Sequence, residues 1–127
     1  MHKMALMSLY FDWVRYTRHY FYSALRIKPR QTVTEMLDLY IILTKRHHVN
    51  RPTKGAWRTV IDDLVERGVL IIEGDAPPHT IRAAGILPPA SDWMDYEIKA
   101  CLPEVELLKT AREERDARMR NEKPCQP

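Results

Sequence analysis

The sequence predicts an α+β domain, a small mixed β-sheet covered by an N-terminal helix and a central helix, with a polar helix at the C-terminal end. Three observations carry this. Apolar residues recur at helical steps in the first quarter of the chain and again over 56–67. Two runs, Asp38 to Thr44 and Met94 to Leu102, read as strands. Proline and glycine punctuate the segments between them. At 127 residues the chain has room for one core, placed over residues 1–120, with 121–127 as a disordered tail.

From Leu6 to Ile27 the residues Leu6, Leu9, Tyr10, Trp13, Tyr20, Ala24 and Ile27 keep three- and four-residue steps, with Arg15, Arg18, His19 and Arg26 on the polar side. The aromatic residues of this helix read first as core, and alternatively as a surface on which bases could stack. Pro29 ends the helix, because it lacks an amide proton and pushes the residue before it out of helical geometry.

Thr32 to Thr44 fits two descriptions. Thr34-Glu35-Met36-Leu37 could open a helix, but the β-rich run through Ile41 and Ile42 favours a strand over Asp38 to Thr44. Lys45 to Gly55 is strongly basic, ends in Pro and Gly, and is expected to be an exposed loop. Ala56 to Arg67 reads as a helix with Trp57, Val60, Ile61 and Leu64 inward and Gly68 as its stop.

Val69 to Ile72 then forms a strand, Glu73 to Pro78 a turn, and His79 to Arg82 a returning strand. Met94, Tyr96, Ile98, Ala100 and Leu102 alternate with polar residues as a half-buried strand does. Pro103 fits the first turn of a last helix that docks through Val105, Leu108 and Ala111 before becoming wholly polar.

Composition excludes several classes. No stretch approaches the roughly 20 apolar residues of a membrane span, and the first ten residues lack a secretory pattern, so a cytoplasmic location is expected. Cys101 and Cys125 are the only cysteines and imply neither a disulfide framework nor structural zinc. With four glycines in all, a phosphate-cradling loop is not expected.

The net charge of +3 is unevenly spread. Residues 1–58 hold eleven Lys and Arg against Asp12, Glu35 and Asp38, a net +8, whereas residues 59–127 hold nine against fourteen, a net −5. A polyanion, and DNA above all, is the partner such a half attracts. Lys45, Arg46, Arg51, Lys54 and Arg58 are the candidate phosphate contacts. The chemistry still open is metal-assisted: Glu73, Asp75 and Asp62 are the candidate catalytic carboxylates, with Glu73 and Asp75 as ligands of Mg2+.

Two family resemblances meet on these residues. The basic loop, the helix with Arg58, Asp62, Leu64 and Gly68, then Glu73 and a proline-bearing turn resemble RusA-type Holliday-junction resolvases over about half the chain. That resemblance implies a homodimer and magnesium-dependent cleavage of branched DNA. Pro52 and Lys54 stand where the family has paired aspartates, so a junction binder without catalysis is a form it could take here. Asp63 to Gly74 with a return through His79 to Arg82 is similar to winged-helix DNA-binding domains, which implies a recognition helix opening at Asn50 to Thr53. The strand expectations at Asp38 to Thr44 and Met94 to Leu102 favour the resolvase reading, with a winged-helix regulator as its alternative. A third reading is a protein-binding inhibitor module that uses the aromatic first helix.

Overall fold

A computed structural model of the chain describes residues 13–49, 53–90 and 92–122. Its elements in order are α1 (Trp13–Ile27), β1 (Arg30–Thr32), α2 (Val33–His47), α3 (Lys54–Glu66), β2 (Leu70–Glu73), β3 (Thr80–Ala83) and α4 (Asp92–Glu122). The α+β class holds. The three strands form one antiparallel sheet in the order β1-β3-β2, not the mixed sheet expected. The expected start of the first helix, with Leu6, Leu9 and Tyr10, lies outside the described residues.

Both long strand expectations are overturned. Asp38 to Thr44 lies within α2, which starts at a capping box: the Thr32 hydroxyl accepts from the Glu35 amide at 3.0 Å, and the Glu35 carboxylate accepts from the Thr32 amide. Such a cap is worth about 1 kcal/mol. Met36, Leu39, Tyr40 and Leu43 then fall on one buried face at helical spacing. β-propensity describes fit to a pleated, half-buried surface, and here helix packing supplies the burial instead.

Met94 to Leu102 is helical for a related reason. Met94, Ile98, Cys101 and Val105 form the buried seam of α4, whereas Tyr96 and Ala100, which alternation placed beside them, are exposed. A step of four satisfies both periods, so Met94 and Ile98 could not decide between them. Pro103 therefore sits inside a 31-residue helix and not in its first turn. Val105 docks as expected, but Leu108 and Ala111 are exposed. The helix also reaches Glu122, so residues 121 and 122 belong to it and not to a tail.

Strand β1 was not expected from the sequence, whereas α3 and the β2–β3 hairpin follow it closely. Trp57, Val60, Ile61 and Leu64 are the buried face of α3. Gly68 ends that helix with φ +77°, the left-handed geometry that glycine adopts without a side-chain clash, while the Val69 amide returns to the Leu64 carbonyl at 2.9 Å. Leu70 of β2 and Ile81 of β3 face the helices and are buried.

At the centre, Tyr20 packs edge-on against Phe21 and Tyr40 at centroid distances of 5.3 and 5.1 Å, and Phe21 lies 5.4 Å from the Trp57 ring. The aromatic residues 16, 20, 21 and 22 are thus core, as the first reading held. Two tyrosine hydroxyls are satisfied inside it: Tyr20 donates to the Met36 carbonyl, and Tyr40 shares a 2.8 Å hydrogen bond with Thr17. Across the top, α4 is fastened to α2 where Arg112 grips the buried Asp38 carboxylate with two nitrogens, one of them at 2.9 Å.

Candidate nucleic-acid interface

The basic segment is two helix ends with a short joint between them, not one long loop. Lys45, Arg46 and His47 form the last turn of α2, which closes at His48 in a left-handed conformation with φ 54°. Residues 50–52, including Arg51, lie outside the described part. Thr53 then caps α3, its hydroxyl accepting from the Ala56 amide at 3.1 Å, and Lys54 and Arg58 follow on the exposed side of the first two turns.

The five candidate cations do not share one situation. Lys45 and Lys54 are exposed. Arg46 is drawn back to α4, where its Nε donates to Glu97 at 2.5 Å. Arg58 lies 3.7 Å from Asp62, one turn along its own helix, a partner that solvent screening makes weak.

Helix α3 is electrically divided. Its first half bears Lys54 and Arg58, with Gly55 and Thr59 exposed beside them, and adds the positive end of the helix dipole. Its second half bears Asp62, Asp63 and Glu66. Asp63 is held by Arg67 at 3.0 Å and by Arg18 of α1 at 3.2 Å, and these guanidinium groups keep its carboxyl below the usual range. A polyanion is therefore favoured at the start of this helix and opposed at its end.

The three candidate carboxylates are dispersed. Asp62 points outward from α3 beside Arg58, and Asp75 sits exposed in the turn after β2. Glu73 is engaged by Arg82 and lies 3.6 Å from Arg30. Among the described residues no group of three or more His, Cys, Asp or Glu side chains could hold a metal ion.

Arg30 and Arg82 carry a role that sequence reasoning missed. They face each other across β1 and β3, like charges that would repel, and Glu73 is their common counter-ion. The pairing joins residues far apart in the chain, so no local signal could have found it.

Behind the basic surface a polar cluster ties three helices together. The Tyr16 hydroxyl and His47 Nδ1 are 2.8 Å apart, His47 Nε2 is 3.5 Å from Glu97, and the Trp93 ring lies 5.4 Å from the imidazole. Burial pushes the His47 pKa below 6.5, while Glu97 opposes the shift and Arg46 adds to it. Above about pH 6.5 the ring is neutral in both states. Below that value the unfolded chain takes up a proton that the folded ring refuses, so stability falls until the lowered folded pKa is reached. Urea midpoints measured from pH 8 to pH 5 are expected to decline more steeply for the parent than for His47→Gln, and equal slopes would refute this role for His47.

Among the described residues no helix is long and apolar enough to cross a membrane. Comparison with models of protein families, with curated proteins and with solved structures finds no match.

Proposed function

We propose that the protein binds duplex DNA in the manner of a winged-helix regulator, with the first half of α3 entering the major groove and Lys54, Arg58 and Lys45 on the flanking phosphates. One observation carries the reading: the order helix, strand, helix, helix, hairpin, with β1 joined to β3, is the arrangement in which a second, basic-tipped helix is presented to DNA. The two features that spoke for a resolvase-like sheet, strands at Asp38 to Thr44 and Met94 to Leu102, are helical.

Chemistry supports the same assignment of roles. Small or open positions at Gly55 and Thr59 let the α3 backbone approach a groove closely, and the helix N-terminus adds its own attraction for phosphate. The β2–β3 turn, residues 74–79, carries Asp75 and no Lys or Arg. Phosphate contact accordingly rests on the helix and the α2–α3 joint, with Arg51 of that joint as a further contact, and the turn stays clear of the backbone.

Fluorescence-anisotropy titration against a labelled duplex and a four-way junction, with and without Mg2+ and over a range of salt, tests the reading. Duplex binding at least as tight as junction binding is expected, with log K falling against log salt at a slope of about −3 for three to four phosphate contacts. Absence of duplex binding, or junction-selective cleavage in Mg2+, overturns it.

A further inference from the structure

One carboxylate oxygen of α4 serves two side chains of α2. Arg46 Nε donates to Glu97 Oε2 at 2.5 Å, and His47 Nε2 lies 3.5 Å from the same atom. The two claimants differ in freedom. The His47 side chain is 14% exposed and sits between Tyr16 of α1 and Trp93 of α4, whereas that of Arg46 is 50% exposed. If one of them leaves the oxygen, it is the arginine. Neutral imidazole carries no charge to compete with a guanidinium, so Arg46 holds Glu97 while His47 is neutral. A proton on His47 changes both sides of that balance. The ring becomes a cation facing Glu97, and it becomes a like charge to Arg46, its neighbour in the chain. The ring itself stays in place, because the Tyr16 hydroxyl can donate to Nδ1 of the neutral form and accept from the Nδ1–H of the charged one.

The other titratable groups around this cluster are Cys101 and Glu104 of α4 and, at the end of α2, the exposed Lys45 and His48. Burial keeps the Tyr16 hydroxyl and the Cys101 thiol protonated, which leaves Glu97 as the anion that His47 and Arg46 contest. We propose that Glu97 is a pH-dependent latch, which withholds Arg46 from a DNA phosphate while His47 is neutral and releases it when His47 is protonated. The latch rests on the DNA-binding reading, since Arg46 stands in the last turn of α2 beside Lys45, at the joint where the phosphate contacts gather. Linkage gives the sign. When Arg46 leaves for a phosphate, Glu97 is left to His47 alone, so the ring holds its proton more tightly in the complex than in the free protein, and duplex binding takes up a proton. Affinity therefore rises as pH falls from neutrality, and the gain is complete below the free protein's His47 pKa, which burial holds under 6.5.

Two measurements on the full chain test it, one without DNA. In the free protein, the NMR signal of the Arg46 Nε–H is expected to move with the same midpoint as the His47 ring when pH is lowered from 8 to 5, and not to move in His47→Gln. With a labelled duplex, anisotropy titrations at pH 8 and pH 5.5 are expected to show a salt dependence steeper by about 0.9 in log–log slope at the lower pH, the mark of one added phosphate contact. In Arg46→Gln that added slope is lost, while any contribution of the exposed His48, which gains charge over the same range, persists. In Glu97→Gln the steeper slope is present already at pH 8, because Arg46 is free at both values. An Arg46 signal indifferent to the titration of His47 overturns the latch. A pH dependence of duplex binding that Arg46→Gln leaves unchanged overturns its use at DNA. Absence of duplex binding at every pH overturns the DNA reading instead, and the spectrum of the free protein still decides whether Glu97 exchanges partners.

Discussion

Replacing Lys54 and Arg58 together by glutamate is expected to remove duplex binding, with the dissociation constant rising about 100-fold or more at moderate salt. Each reversal does more than delete a phosphate contact. It exchanges attraction for repulsion, and it does so at the helix end where the dipole and the open backbone at Gly55 also favour an anion. The fold should not change, because both side chains are exposed and the buried face of α3 is made by other residues. Asp62→Asn should act in the opposite sense, since it releases Arg58 from its neighbour 3.7 Å away and removes a negative charge facing the backbone. Binding a few times tighter is expected. These signs separate two roles for Asp62: a carboxylate needed to hold a metal at a cleavage site cannot be neutralised with a gain of function. Anisotropy titrations of the three proteins at a single salt concentration read the whole comparison.

The second large effect lies in the core beneath that helix. Trp57 fills the junction of α1, α2 and α3, with its ring 5.4 Å from Phe21 and 6.1 Å from Tyr40, and is 3% exposed. Trp57→Ala is expected to cost about 3–5 kcal/mol, a large part of the roughly 5–15 kcal/mol that holds a domain together. Trp57→Phe should cost far less, under about 1.5 kcal/mol. Among the described residues the buried indole N–H has no acceptor, and a buried unsatisfied donor costs about 1–3 kcal/mol. Phenylalanine removes that donor, which offsets part of the lost volume. Urea unfolding with unchanged m-values checks both, and a Trp57→Phe loss as large as that of Trp57→Ala would mean that the indole nitrogen has a partner after all.

Local signals account for what the sequence made legible. Gly68 after the Trp57-Val60-Ile61-Leu64 face marked the end of α3, and the turn residues of 73–78 marked the hairpin, because in both places the chain neighbours themselves set the geometry. The helical state of 38–44 was present in the sequence as Thr32 and Glu35, three residues apart, a capping signature whose energy outweighed the β-rich look of Ile41, Ile42 and Leu43. For 94–102 the residues at steps of four satisfied both periods, and the buried Cys101 and Val105, outside the alternation, were the ones that discriminated. Lys45 and Lys54 of the candidate site are exposed at two helix ends. Its individual members depended on tertiary partners that no local pattern announces: Glu97 for Arg46, and the pair Arg30 and Arg82 for Glu73.

The order of strands in the sheet bears on how the chain is made. The central strand β3 is the last of the three to be synthesised, and among the described residues β1 pairs only with β3. Roughly 50 residues separate the two, a delay of about 3–10 s at ordinary rates of translation. During that interval the backbone of Arg30, Gln31 and Thr32 is an open sheet edge on a nascent chain, the kind of edge that recruits other chains. Arg30 lies on that edge, and charge at an edge disfavours pairing with other chains. The charge of Arg30 is thus expected to disfavour such pairing before β3 arrives, and in the folded sheet Arg30 lies 3.6 Å from Glu73.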